Sequence, residues 1–365
     1  MREDVIVEHV EVRCVRNVTE ASLDLCPGLN VLVGANGAGK TALLEALHLL
    51  IRGRSFRGRG ISFLVQHGAP ALSVHLRGSD PVRGRISLGM ARERSSDTEL
   101  RLNGEVVRQA SVVAGLLPMQ LLLPDLADLV FGSPRERRQW LDWGVFHVKH
   151  DYVDTLRDYV RAVRQRNAVL RTDDHGTLEA WTGRMVELGE AVTEARHAYV
   201  EAVRPTVLEC LETLAPGLAV TVEYHPGFQG DSLAEEVAES TPRDVKLGAT
   251  QVGPHRADIR LGSDRGRAAG ILSRGQGKAL ASALRIGQAK ALLDEQGARS
   301  LFLIDDVWAE LDDDHSVRFF GLLDQMDCQI LATSTHEPAL AESFGAGRSK
   351  VFHVEQGVVN EHDRR

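Results

Sequence analysis

The stretch "NVLVGANGAGKTALLEALHLLI", residues 30–51, decides the architecture of this chain. It opens with an apolar run too short for a helix, which reads as a buried strand. "GANGAGKT", residues 34–41, then matches G-x-x-x-x-G-K-[ST] at every fixed position. Beyond it Leu43, Leu44, Leu47 and Leu50 recur at helical spacing, and Gly53 ends the helix. Strand, glycine loop and helix in this order are the context that gives the motif meaning. The backbone N–H groups of Gly34, Ala35, Asn36, Gly37, Ala38 and Gly39 close around phosphates, and Lys40 reaches the outer ones. The Thr41 hydroxyl holds Mg²⁺. The expected core is therefore an α/β nucleotide-binding head.

Working outward, residues 5–33 alternate and lead into the strand. Residues 71–107 form short alternating runs. The clearest, "ELRLNGEVV", places an Asn103-Gly104 turn between two arms and predicts a hairpin. An antiparallel β subdomain on the head follows. After Pro124 the pattern turns helical, and "SPRE" at 133–136 reads as a capping box with proline at the first helical position. Leu178, Trp181, Met185, Leu188, Val192, Ala195 and Tyr199 recur at steps of three and four. So do Tyr152, Leu156, Tyr159, Val163 and Leu170, with Arg166 breaking the rhythm. Two such seams joined by "TDDHG" predict an antiparallel helical hairpin, about 30 Å long at 1.5 Å per residue. It is either a short coiled-coil arm or a pair of helices packed on the rest of the fold. From about residue 245 α/β patterning returns. The expected domains are a discontinuous head, 1–122 with 245–365, and a mainly helical lobe, 123–244.

The second half of the head supplies acids. "SLFLIDD" at 300–306 is an apolar strand ending in two carboxylates. Asp305 suits a Mg²⁺ contact through water, and Asp306 is placed to orient and polarise an attacking water. "CQILATSTH" at 328–336 is a further apolar strand with a polar end. Both read as buried parallel strands, whose C-terminal ends carry function.

Composition excludes several classes. Hydrophobic residues make up 43% of 365, charged residues 26%, and the apolar runs are too short or interrupted to span a bilayer. Cys14, Cys26, Cys210 and Cys328 show no C-x-x-C spacing and read as reduced thiols. "MREDVIVEHV" lacks a signal pattern, so a cytoplasmic location is expected. Net charge is −8, which disfavours non-specific nucleic-acid binding. Basic residues are nonetheless concentrated in "IRGRSFRGRG" at 51–60, "RERR" at 135–138 and "RDYVRAVRQR" at 157–166. Each cluster is either a solvated surface or a DNA contact. On charge alone, Arg54, Arg57 and Arg59 rank first, then Arg135 and Arg138.

One motif remains. "LSRGQGK" at 272–278 is a second glycine-rich turn, opening the helix "GKALASALRIGQAKALL". It resembles the L-S-G-G-Q signature of the ATP-binding-cassette superfamily, with Arg274 at the first glycine. The resemblance implies that Ser273, Gly275, Gln276 and the helix N-terminus bind the γ-phosphate of ATP held by a second copy. ATP would then join a symmetric dimer. The same resemblance makes "ELD" at 310–312 a D-loop, His336 a γ-phosphate sensor rather than a structural histidine, and Gln120 a Q-loop glutamine.

"GANGAGKTALLEAL", "GRSFRG", "PDLADLVFGSPRERRQWLDWGVFHV", "QVGPHRAD", "LSRGQGKAL" and "LIDDVWAELD" follow one another along nearly the whole chain. Together they resemble the RecF family of bacterial recombination-mediator ATPases, related to SMC and Rad50 heads. That resemblance implies a weak, DNA-stimulated ATPase that uses ATP and Mg²⁺. It would dimerise on DNA at double-strand/single-strand junctions and help RecO and RecR place RecA on single strands during gap repair, replication restart and the SOS response. Three departures stand out. Val15 replaces an aromatic residue, leaving Arg13 or Arg16 to meet adenine. Ala257 stands where Asp is common. Asp306 replaces the Glu usual in transport cassettes, which fits slow hydrolysis. The rival readings are the nucleotide-binding subunit of a transporter, another SMC-like repair ATPase, a nuclease and a clamp without hydrolysis.

Overall fold

Leu29–Val33 is buried along its whole length, as an apolar run between two neighbours must be. In the computed structural model it lies inside a six-stranded sheet in the order Val358–Glu361, Ser349–Glu355, Leu29–Val33, Ile330–Ser334, Leu301–Ile304, Met119–Leu122. All neighbours are parallel except the first pair. The structure describes residues 5–58, 60–81, 83–93, 98–149, 151–172, 174, 176–264, 266–306, 313–336, 344 and 347–361. The chain forms two compact units, Met1–Leu126 with Ala289–Arg365, and Ala127–Gln288.

In the first unit the helix Lys40–Arg52 buries all but two of its residues, and Gly53, left-handed at φ 67°, returns its N–H to Leu49 O at 2.8 Å. A second, antiparallel sheet runs Val18–Asp24, Ile6–Val15, Ala71–Asp80, Gly84–Glu93, Glu99–Leu102, Glu105–Val106. Its last turn is the expected Asn-Gly hairpin: φ is 50° at Asn103 and 90° at Gly104. Val10, Val12, Leu47, Leu50, Val74, Leu76 and Leu88 belong to one core shared by this sheet and the helix.

In the second unit, Ser133 caps the helix Pro134–Val148 by accepting the Arg135 N–H. The cap departs from a full box, because the Ser133 hydroxyl donates to the Glu136 carboxylate at 2.5 Å. The helices Tyr152–Val169 and Leu178–Leu214 form the expected antiparallel pair. Arg166, which interrupts the seam, is wholly buried and pairs with the equally buried Asp244 at 2.7 Å. It also donates to Thr182 at 3.0 Å and Thr250 at 2.8 Å. Asp244 belongs to a third helix, Leu233–Leu247, which covers the pair at this level. The seam there is a polar network inside the unit rather than a dry two-helix interface.

The unit boundary falls later than the expected 245. Thr221–His225 pairs with Asp258–Ser263, joining segments on either side of that position, and Gln288 Nε2 donates to Trp140 O at 2.8 Å and the Tyr199 hydroxyl at 3.0 Å. The two motifs "GSPRERRQWLD" and "GPHRAD" meet here. Arg137 pairs with Asp258 at 2.7 Å, and Arg138 donates to Ala257 O at 2.7 Å. Arg196 joins Asp142 and Pro254 O, each at 2.7 Å. Tyr159 and Thr250 O hold the His255 ring at 2.7 and 3.2 Å, and burial keeps it neutral, with a pKa of about 4. Ala257 is completely buried, and the neighbouring acid, Asp258, is the partner of Arg137.

Replacing Arg166 by Leu strands the Asp244 carboxylate in the interior. Urea unfolding followed by tryptophan fluorescence, to which Trp140, Trp143 and Trp181 of this unit contribute, should show a loss of about 3–5 kcal/mol. The double change Arg166→Leu with Asp244→Leu should recover much of it. A loss below about 1 kcal/mol in the single variant would show that the pair is dispensable.

Candidate functional site

The phosphate loop leaves the central strand after Val33, and its neighbours dictate its path. Gly34 donates to Ser334 O at 3.2 Å, and a Cβ there would stand 2.2 Å from Val354 O. Gly37 and Gly39 take left-handed φ values of 81° and 116°. The Asn17 side-chain amide donates to Gly37 O at 2.9 Å, and Gly357 N–H donates to Ala38 O at 2.7 Å. Gly357 sits in the turn of the C-terminal hairpin at φ 82°, where a Cβ would meet Asn17 O at 2.3 Å. Two of the loop's carbonyls are thus held by the scaffold. Among the described residues no acceptor takes the N–H groups of Asn36, Gly37 or Gly39, and these are the groups that face an anion in such loops.

Lys40 is buried, and its ammonium donates to Gly34 O at 2.6 Å and Ala35 O at 3.0 Å, at the mouth of the loop. Burial pulls its pKa below the ordinary lysine value, while the charges of Asp306 and Asp305 pull it back up. Thr41, one position on, donates to Asp305 Oδ1 at 3.0 Å. Thr333 donates to the same oxygen at 2.8 Å and accepts the Asp306 N–H at 2.9 Å. Asp306 has a left-handed φ of 48°, a conformation that Asp tolerates better than most residues. Parallel pairing of Leu301–Ile304 with Ile330–Ser334, and of the latter with Leu29–Val33, brings these strand ends together. Thr333 and Gly357 are the residues that sequence reasoning missed. Thr333 could have been found as a hydroxyl within a wholly buried strand. Gly357 carried no signal beyond a Gln-Gly turn.

His336 follows the same strand and is exposed. Its N–H donates to Ser334 Oγ at 3.2 Å, and Nδ1 lies 2.7 Å from Thr335 Oγ1. Ser334 is also the acceptor for Gly34, so the histidine turn lies beside the start of the phosphate loop. Gln120 stands differently from expectation. It lies inside the strand Met119–Leu122 with its side chain fully buried, not in a loop. The alternation of a sheet strand decides which way it faces. The D-loop candidates at 310–312 lie outside the described residues, as does Arg59.

Arg13 pairs with Glu20 at 2.9 Å, and Arg16 forms a two-pronged pair with the buried Glu45 at 2.5 and 2.9 Å. Both guanidiniums assigned to adenine are therefore engaged within the protein. Arg138, selected with Arg135 as a DNA contact, is part-buried and donates through Nη1 to the Ala257 carbonyl. Arg54, Arg57 and Arg135 are exposed.

In the second unit, the signature turn precedes the helix Arg274–Gln296. Ser273 N–H donates to Gln276 Oε1 at 3.0 Å, and Gln276 N–H donates to Ser273 Oγ at 3.2 Å. This is a reciprocal capping box, and Ser273, Arg274, Gly275 and Gln276 are all exposed. Gly277 has an internal reason to be glycine, since a Cβ there would lie 2.2 Å from the Phe131 ring. Gly275 has none among the described residues: a Cβ there would meet nothing nearer than Ser273 Oγ at 4.0 Å.

A family model described as the RecF/RecN/SMC N terminal domain matches residues 6–360. The DNA replication and repair protein RecF of Pseudomonas syringae pv. syringae (strain B728a) is 37% identical, with 98% of this chain and 99% of that protein aligned. The protein of the same name from Azotobacter vinelandii (strain DJ / ATCC BAA-1303) is 39% identical, covering 97% of this chain and 98% of its own. Among solved structures, the recombination mediator protein RecF-ATP in the RecFOR pathway matches with a TM-score of 0.87 at 23% identity, over 99% of both chains. An SmcHead bound to the C-winged helix domain of ScpA matches with 0.58 at 17%, over 98% of this chain and 96% of that one. These last two share its fold. Similarity at this level over almost the whole length, together with the family match, shows that the chain belongs to the RecF family.

Proposed function

We propose that this chain binds ATP with Mg²⁺ at residues 34–41, hydrolyses it slowly, and closes as a dimer of two copies on DNA. The observation that carries the chemistry is the convergence of the Thr41 and Thr333 hydroxyls on one buried carboxylate, Asp305, with Thr333 also accepting the Asp306 N–H. A hydroxyl and a carboxylate 3.0 Å apart are hard oxygen donors of the kind Mg²⁺ prefers. Thr41 would hold the ion directly and Asp305 through water, and the ion supplies charge neutralisation of the phosphates. Lys40, already desolvated, neutralises the outer phosphates. Asp306 accepts a hydrogen bond from the attacking water and aligns it, and His336 senses the γ-phosphate from the neighbouring turn.

In this reading Ser273, Gly275 and Gln276 form an exposed anion site, whose glycine answers no packing demand among the described residues. A glycine brings no side chain to the packing of this turn and leaves its backbone open, so close approach of a ligand is the reason we give for it. That ligand is the γ-phosphate on a second copy. The named relatives are DNA replication and repair proteins, and one neighbour belongs to the RecFOR pathway. That kinship supports our reading that this chain works on DNA at double-strand/single-strand junctions with RecO, RecR and RecA, in the cytoplasm. DNA stimulation of turnover follows if DNA favours the closed dimer.

Two variants test the mechanism. Ser273→Asp preserves the helix cap but sets a negative charge against the partner's phosphate. Sedimentation with Mg²⁺-ATP should double the mass of the wild type and leave this variant monomeric, with its thermal midpoint unchanged. A variant that dimerises normally would refute the trans-acting role of the turn. Asp306→Asn should dimerise with ATP yet lose about 10²-fold or more in turnover, the range for a positioned base. Unchanged phosphate release would remove Asp306 from the chemistry.

A further inference from the structure

Residues 46–79 contain no Asp or Glu, in a chain of net charge −8. Within this acid-free stretch, the loop after the phosphate helix carries Arg54 and Arg57, both exposed. Arg13, Arg16, Arg137 and Arg166 have carboxylate partners. Among the described residues Arg54 and Arg57 have none, and both guanidiniums face solvent.

The same loop ends in the turn Ile61–Phe63, and the Phe63 side chain is 68% exposed. Single exposed apolar residues are ordinary on protein surfaces. Phe63 differs in two respects. It is the only aromatic among the exposed large apolar side chains of the described residues, the others being Ile, Val and Leu. Its loop is also fastened at both ends. At the near end Ser55 donates to the buried Glu45, Arg57 N–H returns to Ser55 Oγ at 3.0 Å, and His48 Nδ1 lies 2.7 Å from Arg54 O. At the far end Leu64 is fully buried, and its carbonyl accepts the Arg16 N–H at 2.7 Å. Glu45 grips Arg16 as well, so one buried carboxylate ties both ends of the loop together.

We infer that Phe63 is a stacking platform for an unpaired nucleobase, with Arg54 and Arg57 holding the adjoining phosphates. An aromatic face accepts any base, and guanidiniums without acidic neighbours track the backbone; the two together favour single strands over duplex, whose bases are already stacked. The held ends present the ring in a fixed place, so little ordering entropy opposes binding. This rests on the DNA-binding reading above.

The test is fluorescence anisotropy with an oligo-dT single strand and with a blunt duplex of the same length. Wild type, Phe63→Ala, Phe63→Trp and Arg57→Ala are compared across a salt series. Phe63→Ala should weaken single-strand binding about tenfold, within the range of one lost stack, with duplex affinity and salt slope unchanged. Phe63→Trp should bind the single strand as wild type does and show added fluorescence quenching. Arg57→Ala should weaken both DNAs and shallow the salt slope by about one. If wild type binds single strands and Phe63→Ala binds them equally well, the platform is overturned while the DNA reading stands. If wild type binds neither DNA, both fall.

Discussion

One buried oxygen, Asp305 Oδ1, organises the head. It receives hydroxyl hydrogen bonds from Thr41, on the helix after the phosphate loop, and from Thr333, on the neighbouring strand. Thr333 in turn fixes the backbone of Asp306. A carboxylate this deep is tolerable only with such partners, because burying a charge without hydrogen bonds is prohibitively unfavourable. The requirement also makes the site precise. Helix, acidic strand and histidine strand are joined through this one carboxylate, so none can shift without disturbing the others.

The second unit is organised by arginines. Arg137, Arg138, Arg166 and Arg196 each satisfy a carboxylate or a backbone carbonyl. Planar guanidiniums with several donors suit this role better than lysine. Their presence reverses the obvious reading of "RERR": two of its three arginines hold the motif "GPHRAD" in place. Charge density in a sequence does not reveal whether a cation faces solvent or a carbonyl, and here it faced both within four residues.

Much was legible beforehand. "GANGAGKT" and "LFLIDD" define their own local geometry, because glycine turns and buried parallel strands leave few alternatives. The hairpin at Asn103 and the cap at Ser133 were readable for the same local reason. What escaped was non-local. Thr333 and Gly357 matter through contacts with residues far away in the chain, and Gln120 is oriented by sheet alternation rather than by the polar end of its strand. The late boundary depends on the pairing of Thr221–His225 with Asp258–Ser263, and no spacing rule announces such a partner. Arg166 looked like a flaw in a seam only because the Leu233–Leu247 helix that covers it lies elsewhere in the sequence.

The contact between Gly357 and Ala38 has a consequence for synthesis. A ribosome makes the phosphate loop well before the hairpin that braces it, so until that hairpin emerges the loop's Ala38 carbonyl lacks this hydrogen-bond donor. Nascent or prematurely terminated chains thus carry the nucleotide motif without its brace. The finished shape of the phosphate loop depends on a hairpin made far later in the chain.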